Sequence, residues 1–133
     1  MTAIATFSLV ALDCPDPVAL ARFYAEITGW ELDREPPDAP PPTATQAPHW
    51  VQLRAPGGGP TLAFQRAPDH RPPDWPDPEL PQQAHLDFDV PDLDTGEEQV
   101  LAVGARKHAV QPRPEAFRVY LDPAGHPFCL VRA

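Results

Sequence analysis

One order of sequence patterns occurs twice in this chain, and that repetition constrains the fold more than any other feature. Ala5–Asp13 alternates as a strand, with both faces largely apolar. Asp16 stands where a carboxylate can accept free helical N–H groups, and Pro17 suits the first helical position, where no N–H is needed. The spacing of Leu20, Phe23, Tyr24 and Ile27 predicts a helix over Val18–Thr28, which Gly29 ends. Strands follow at Trp30–Asp33, His49–Ala55 and Thr61–Arg66, the last two joined by the turn Pro56-Gly57-Gly58-Gly59-Pro60. The order then restarts: a strand at Ala84–Val90, Asp92 as cap, a helix over Leu93–Val103, Gly104 as stop, and strands at Arg106–Val110, Phe117–Leu121 and Pro127–Arg132.

The copies overlay. Leu9 precedes Asp16 by the same distance as His85 precedes Asp92, and Pro56–Pro60 lies over Pro123–Pro127 without a gap. A four-stranded sheet with one helix leaves an apolar face that it cannot cover alone, so two modules are expected to meet. The expected class is α+β: two tandem βαβββ modules forming an open curved sheet or half-barrel with a central cavity. The chain reads as a single domain over 1–133, with module one at 1–67, a proline-rich linker at 68–83 and module two at 84–133. The 21 prolines cluster at Pro36–Pro48, Pro68–Pro81 and Pro112–Pro114, which marks those stretches as loops and element ends.

Charge and composition bound the partners. A net charge of −9 repels phosphate backbones and anionic membrane surfaces, so neither nucleic acid nor membrane is an expected partner. No apolar run approaches the ~18 residues of a membrane span, and no signal peptide is visible, so a cytoplasmic location is expected. Two cysteines, Cys14 and Cys129, are too few for a disulfide framework and read as reduced thiols.

The repeat carries a set of words: Leu12-Asp13-Cys14-Pro15-Asp16-Pro17, Leu20-Ala21-Arg22-Phe23-Tyr24, Gly29-Trp30, Phe64-Gln65-Arg66, His85-Leu86-Asp87-Phe88 and Asp122-Pro123-Ala124-Gly125-His126-Pro127-Phe128-Cys129. In this order and spacing the chain resembles the glyoxalase / bleomycin-resistance / extradiol dioxygenase (vicinal oxygen chelate) superfamily, and within it the glyoxalase-like domain branch. The resemblance implies a small-molecule cavity and often a homodimer. In metal-dependent members it also implies a divalent cation held by His, Glu or Gln on the first and fourth strands of each module, polarising two neighbouring substrate oxygens. The corresponding positions read here as Leu9, Leu62, His85 and Cys129. Two of these carry no donor, so no metal ligand is assigned, a conventional divalent metal is not expected, and the cofactor stays open.

Candidate site residues follow from side-chain alternation. His85, Asp87 and Asp89 share one face of their strand, and inward polar groups are costly unless that face lines a wet pocket. His85 is the catalytic candidate, as a general acid/base. The expected ligand-binding set is His85, Asp87, Trp50, Asp13, Phe64 and Cys129. Trp50 is placed to stack on a flat ligand, and Trp75 either to close over the pocket or to pack at a dimer seam. Arg54, Arg118 and His126 are the groups that could meet an anionic ligand. The favoured function is binding of a small apolar or aromatic molecule without the usual complete metal site. The alternative is a lyase-, isomerase- or dioxygenase-type enzyme that uses His85, either metal-dependent, with Cys129 and a carboxylate such as Asp87, or metal-free, with His85 as general acid/base.

Overall fold

A computed structural model describes residues 2–33 and 48–133. The expected proline loop at Pro36–Pro48 lies, apart from Pro48, outside the described residues. The chain divides into two compact units, Met1–His70 and Arg71–Ala133.

In the first unit the order is β1 (Leu9–Cys14), α1 (Pro17–Thr28), β2 (Glu31–Asp33), β3 (Trp50–Arg54) and β4 (Thr61–Arg66). The sheet order is β1-β4-β3-β2, with β1 parallel to β4 and the other pairs antiparallel. The helix ends are as the sequence requires. Asp16 Oδ1 accepts from the Ala19 N–H at 3.2 Å, and Gly29 adopts φ 73° while its N–H reaches the Ala25 carbonyl at 2.8 Å. β1 begins at Leu9 rather than Ala5, because its partner strand begins at Thr61, the register partner of Leu9. Before Leu9 the Ser8 carbonyl still accepts from the Thr61 N–H at 3.2 Å, and residues 2–8 are exposed. Val51, Leu53, Leu62 and Phe64 are buried, and Phe64 stacks on Tyr24 of α1 at a centroid distance of 5.7 Å. That contact fixes which side of the sheet bears the helix.

The second unit repeats the design: β5 (Leu86–Val90), α2 (Leu93–Ala102), β6 (Arg106–Lys107), β7 (Phe117–Leu121) and β8 (Pro127–Arg132), in the order β5-β8-β7-β6. Asp92 caps α2 through the Thr95 N–H at 2.9 Å. Gly96 lets α2 approach the sheet closely, since a Cβ there would stand 3.2 Å from Leu130 Cδ1 and 3.3 Å from Val90 Cγ1. Phe128 and Tyr120 stack at 5.6 Å in the core, and Phe88 meets Phe128 edge-on at 6.0 Å. β6 is shorter than the expected Arg106–Val110 for a physical reason. The Val119 N–H donates to the Gln111 side-chain oxygen at 2.9 Å instead of to the facing strand, while the Val119 carbonyl keeps a backbone bond from the His108 N–H at 3.0 Å and accepts a second from the Gln111 amide at 2.7 Å.

The stretch expected as a linker belongs largely to the second unit. Asp74 N–H donates to the Leu80 carbonyl at 2.6 Å, and Pro72 packs against Gly125. Among the described residues, no helix is long and apolar enough to cross a membrane.

Candidate ligand pocket on the second sheet

Alternation sorts the second sheet into two faces. Tyr120, Phe128 and Leu130 point to α2, so Phe117 and Val119 of β7 and Pro127, Cys129 and Val131 of β8 point the other way. Asp87 of β5, register partner of Cys129, shares that open face, and His85 lies immediately before the strand. These residues, with Trp75, Gln82 and Pro112 from the loops, line a pocket of about 410 Å³. Its size and mostly apolar wall suit a small organic molecule.

The polar groups gather at one place. His85 Nε2 lies 3.3 Å from Asp87 Oδ1. Ligand-type atoms of His85, Asp87 and Cys129 all lie within 4.8 Å of one another. Burial first, and then the neighbouring Asp87 carboxylate, together push the Cys129 thiol up to about 11. Cys129 is therefore a neutral thiol near neutral pH in the metal-free protein and not an activated nucleophile. The Trp75 ring packs on His108 at 5.2 Å, which anchors the loop that carries it. Gln82 Oε1 is buried with no hydrogen-bond partner among the described residues, so it offers an unused acceptor at the wall.

Three of the expected site residues, His85, Asp87 and Cys129, come together here. Asp13 and Trp50 do not line this pocket. Both are register partners of Gln65, on the helix-free face of the first sheet. Phe64 faces the opposite way: it is fully buried against Tyr24, so its role is in the first unit's core. Arg54 is exposed and pairs with Asp33 at 3.0 Å. Arg118 lies on the helix side of its sheet, bound to Asp94 at 2.9 Å and Glu97 at 3.4 Å, so its charge is used internally and not for an anionic ligand. His126 sits in the turn whose backbone is held by the buried carboxylate of Asp122. Gln82, Pro112, Phe117, Val119, Pro127 and Val131 were not expected in the site. Alternation from Cys129 would have found Pro127 and Val131. Gln82 and Pro112 arrive on irregular segments that periodicity does not register.

The register also corrects one equivalence. Asp87 pairs with Cys129 as Ala11 pairs with Ala63, so the counterpart of Cys129 in module one is Ala63 and not Leu62. The ungapped turn overlay was one residue out, and Leu62 points to the helix. The four positions that would hold the superfamily's metal are thus Leu9, Ala63, His85 and Cys129. Leucine and alanine carry no donor, so these residues do not fit a four-ligand centre drawn from both modules.

Two successive βαβββ units define an α+β fold class built from one repeated module. The chain belongs to the glyoxalase-like domain family, whose pattern matches residues 9–131. No curated protein sequence matches it. Solved structures similar to it include a glyoxalase/bleomycin resistance protein/dioxygenase family enzyme from Burkholderia phytofirmans PsJN, at 18% identity over 96% of this chain and 98% of that one, with a TM-score of 0.65. TnmS3, an antibiotic binding protein from Streptomyces sp. CB03234, is similar at 20% identity over 99% and 98%, with a TM-score of 0.60. The oxidase ChaP-H2 is similar at 19% identity over 98% and 95%, also with a TM-score of 0.60. At these identities the likeness is one of fold, and binding proteins and enzymes share it.

Proposed function

We propose that this protein binds a small, uncharged or weakly polar aromatic molecule in the pocket of its second module. The observation that carries the reading is the pocket itself: about 410 Å³, walled by Trp75, Phe117, Val119 and Val131, with a few polar groups from His85, Asp87, Cys129 and Gln82. An apolar wall supplies affinity by removing ligand surface from water, and a few polar groups orient the ligand. The lack of donors at Leu9 and Ala63 supports binding without the superfamily's usual four-ligand metal centre. The similarity to an antibiotic-binding protein supports the same direction.

Nile red, an uncharged aromatic dye, provides the test. Its fluorescence is expected to rise and saturate at one dye per chain, and Val131→Trp, which fills the pocket from a half-buried position, is expected to abolish the signal. Equal binding by Val131→Trp and the unaltered chain, with both folded by circular dichroism, would contradict the proposal.

A catalytic reading rests on one specific observation, the 3.3 Å contact between His85 and Asp87, which would orient the imidazole for proton transfer. It requires that His85→Ala abolish turnover of a bound substrate while leaving the fold intact. Wild-type turnover by that variant would reject it.

A further inference from the structure

The polar patch of the pocket has a composition that ligand orientation alone does not require. We propose that His85, Asp87 and Cys129 form a three-donor site for a divalent transition metal of borderline softness, such as Zn²⁺, contained wholly within the second module. This goes beyond the binding reading, and it is not the arrangement the superfamily implies: it uses Asp87 and takes nothing from module one.

Geometry supports it first. Zinc held tetrahedrally by nitrogen and oxygen at about 2.0–2.2 Å and sulfur at about 2.3 Å sets its donors roughly 3.3–3.7 Å apart. His85 Nε2 and Asp87 Oδ1 are already 3.3 Å apart, and all three ligand atoms fall within 4.8 Å of one another. The backbone fixes the two strand-borne donors. Asp87 and Cys129 are register partners on adjacent parallel strands, with their side chains on one face. His85 precedes Asp87 by two residues on that face, at the strand's entrance, where a small side-chain rotation can complete the triangle.

Charge and donor type point to the same class of ion. A carboxylate and a thiolate cancel a divalent charge, with imidazole as the neutral third donor. Among the described residues, no Lys or Arg lines the pocket to compete. Mg²⁺ and Ca²⁺ need six or more oxygens and would find one carboxylate here, whereas a set of nitrogen, oxygen and sulfur suits zinc. Binding exchanges the Cys129 thiol proton, released to water, for a metal–sulfur bond. Three protein donors leave a fourth position facing the pocket, where an organic ligand's oxygen or nitrogen could meet the ion.

Cobalt(II) reports this directly, because a cobalt–thiolate bond produces a charge-transfer absorption in the near ultraviolet. Titration of the metal-free full chain with Co²⁺ is expected to develop that band and saturate at one ion per chain, with Zn²⁺ bleaching it. Cys129→Ser is expected to remove the band. His85→Ala and Asp87→Asn are expected to weaken binding by about tenfold or more. Cys14→Ser is expected to change nothing, since Cys14 is buried on the helix side of the first sheet. Absence of the band, its loss in Cys14→Ser, or undiminished binding in His85→Ala or Asp87→Asn would overturn the site. Nile red binding measured on the same metal-free samples keeps the two readings apart: dye binding without cobalt binding rejects the metal site alone.

Discussion

Asp87 and Cys129 are register partners across the parallel pair β5–β8, and the Asp87 carboxylate and Cys129 thiol lie within 4.8 Å of each other on the helix-free face. The ladder register dictates this contact, so it does not depend on a flexible loop to bring the groups together. In module one the same ladder position holds Ala11 and Ala63. The two modules thus share a backbone plan and differ in chemistry at this matched pair of positions.

The reactivity of Cys129 follows from that neighbour. Without metal, its alkylation by iodoacetamide is expected to be slow at neutral pH and to accelerate as pH rises towards about 11, where the thiol ionises. Asp87→Asn removes the repelling charge but not the burial, so it is expected to move the midpoint only part of the way down. An unmoved midpoint in Asp87→Asn would show that the carboxylate has no hold on the thiol. Cys14, with no exposed surface, is expected to label only on unfolding.

Behind the sheet, Glu97 ties α2 to β6 and β7. It takes Lys107 Nζ at 2.9 Å, the Tyr120 hydroxyl at 3.0 Å and Arg118 at 3.4 Å. The hydrogen bond from Lys107 leads in holding its carboxyl below the ordinary 4.5, ahead of the opposing effect of burial, with help from Tyr120 and the Lys107 and Arg118 charges. A carboxyl whose folded pKa is depressed stabilises the fold above its unfolded pKa and loses that contribution as pH falls through the folded one. Glu97→Gln is therefore expected to cost about 1.5–3 kcal/mol at pH 7, the range for hydrogen bonds to a charged group. Urea denaturation should show the difference shrinking as pH falls below 4.5. A deficit that stays constant down to acid pH would show that the charge is not what matters.

The turn after β7 gives a backbone test. Gly125 has φ 89°, and a Cβ there would lie 2.5 Å from Pro72 Cβ, whereas Gly58 has φ 77° with nothing within 4 Å. Gly58→Ala carries conformational strain alone, about 1 kcal/mol, while Gly125→Ala adds a clash and is expected to cost about 2–4 kcal/mol. Thermal melting of the two variants checks this. Equal losses would mean that the segment around Pro72 does not pack on the turn.

The caps, helices and most strand bounds were legible because they depend on local chemistry: Asp16 and Asp92 each cap a helix as their positions in sequence imply. What the sequence left open was mostly a matter of sheet face and register. Phe64 and Leu62 look like cavity residues until the ladder assigns them to the helix side. Arg118 looks free until α2 brings Asp94 and Glu97 to it across the sheet. Gln111 ends β6 early by taking the Val119 N–H onto its side-chain oxygen, which no periodicity encodes. The convergence of His85, Asp87 and Cys129 was half visible. His85 and Asp87 share a face by alternation, but pairing Asp87 with Cys129 needs the register of a strand about 40 residues further along the chain.

Small-molecule binding on the second module's helix-free face has a residue-level test. Amide and indole chemical-shift mapping of the ¹⁵N-labelled chain during titration with 2-naphthol tests it most directly. Saturable shifts are expected at the Trp75 indole, Gln82, Asp87, Val119, Cys129 and Val131. Shifts centred instead on Trp50, Asp13 and Gln65 of the first module, or no saturable shifts at all, would contradict it.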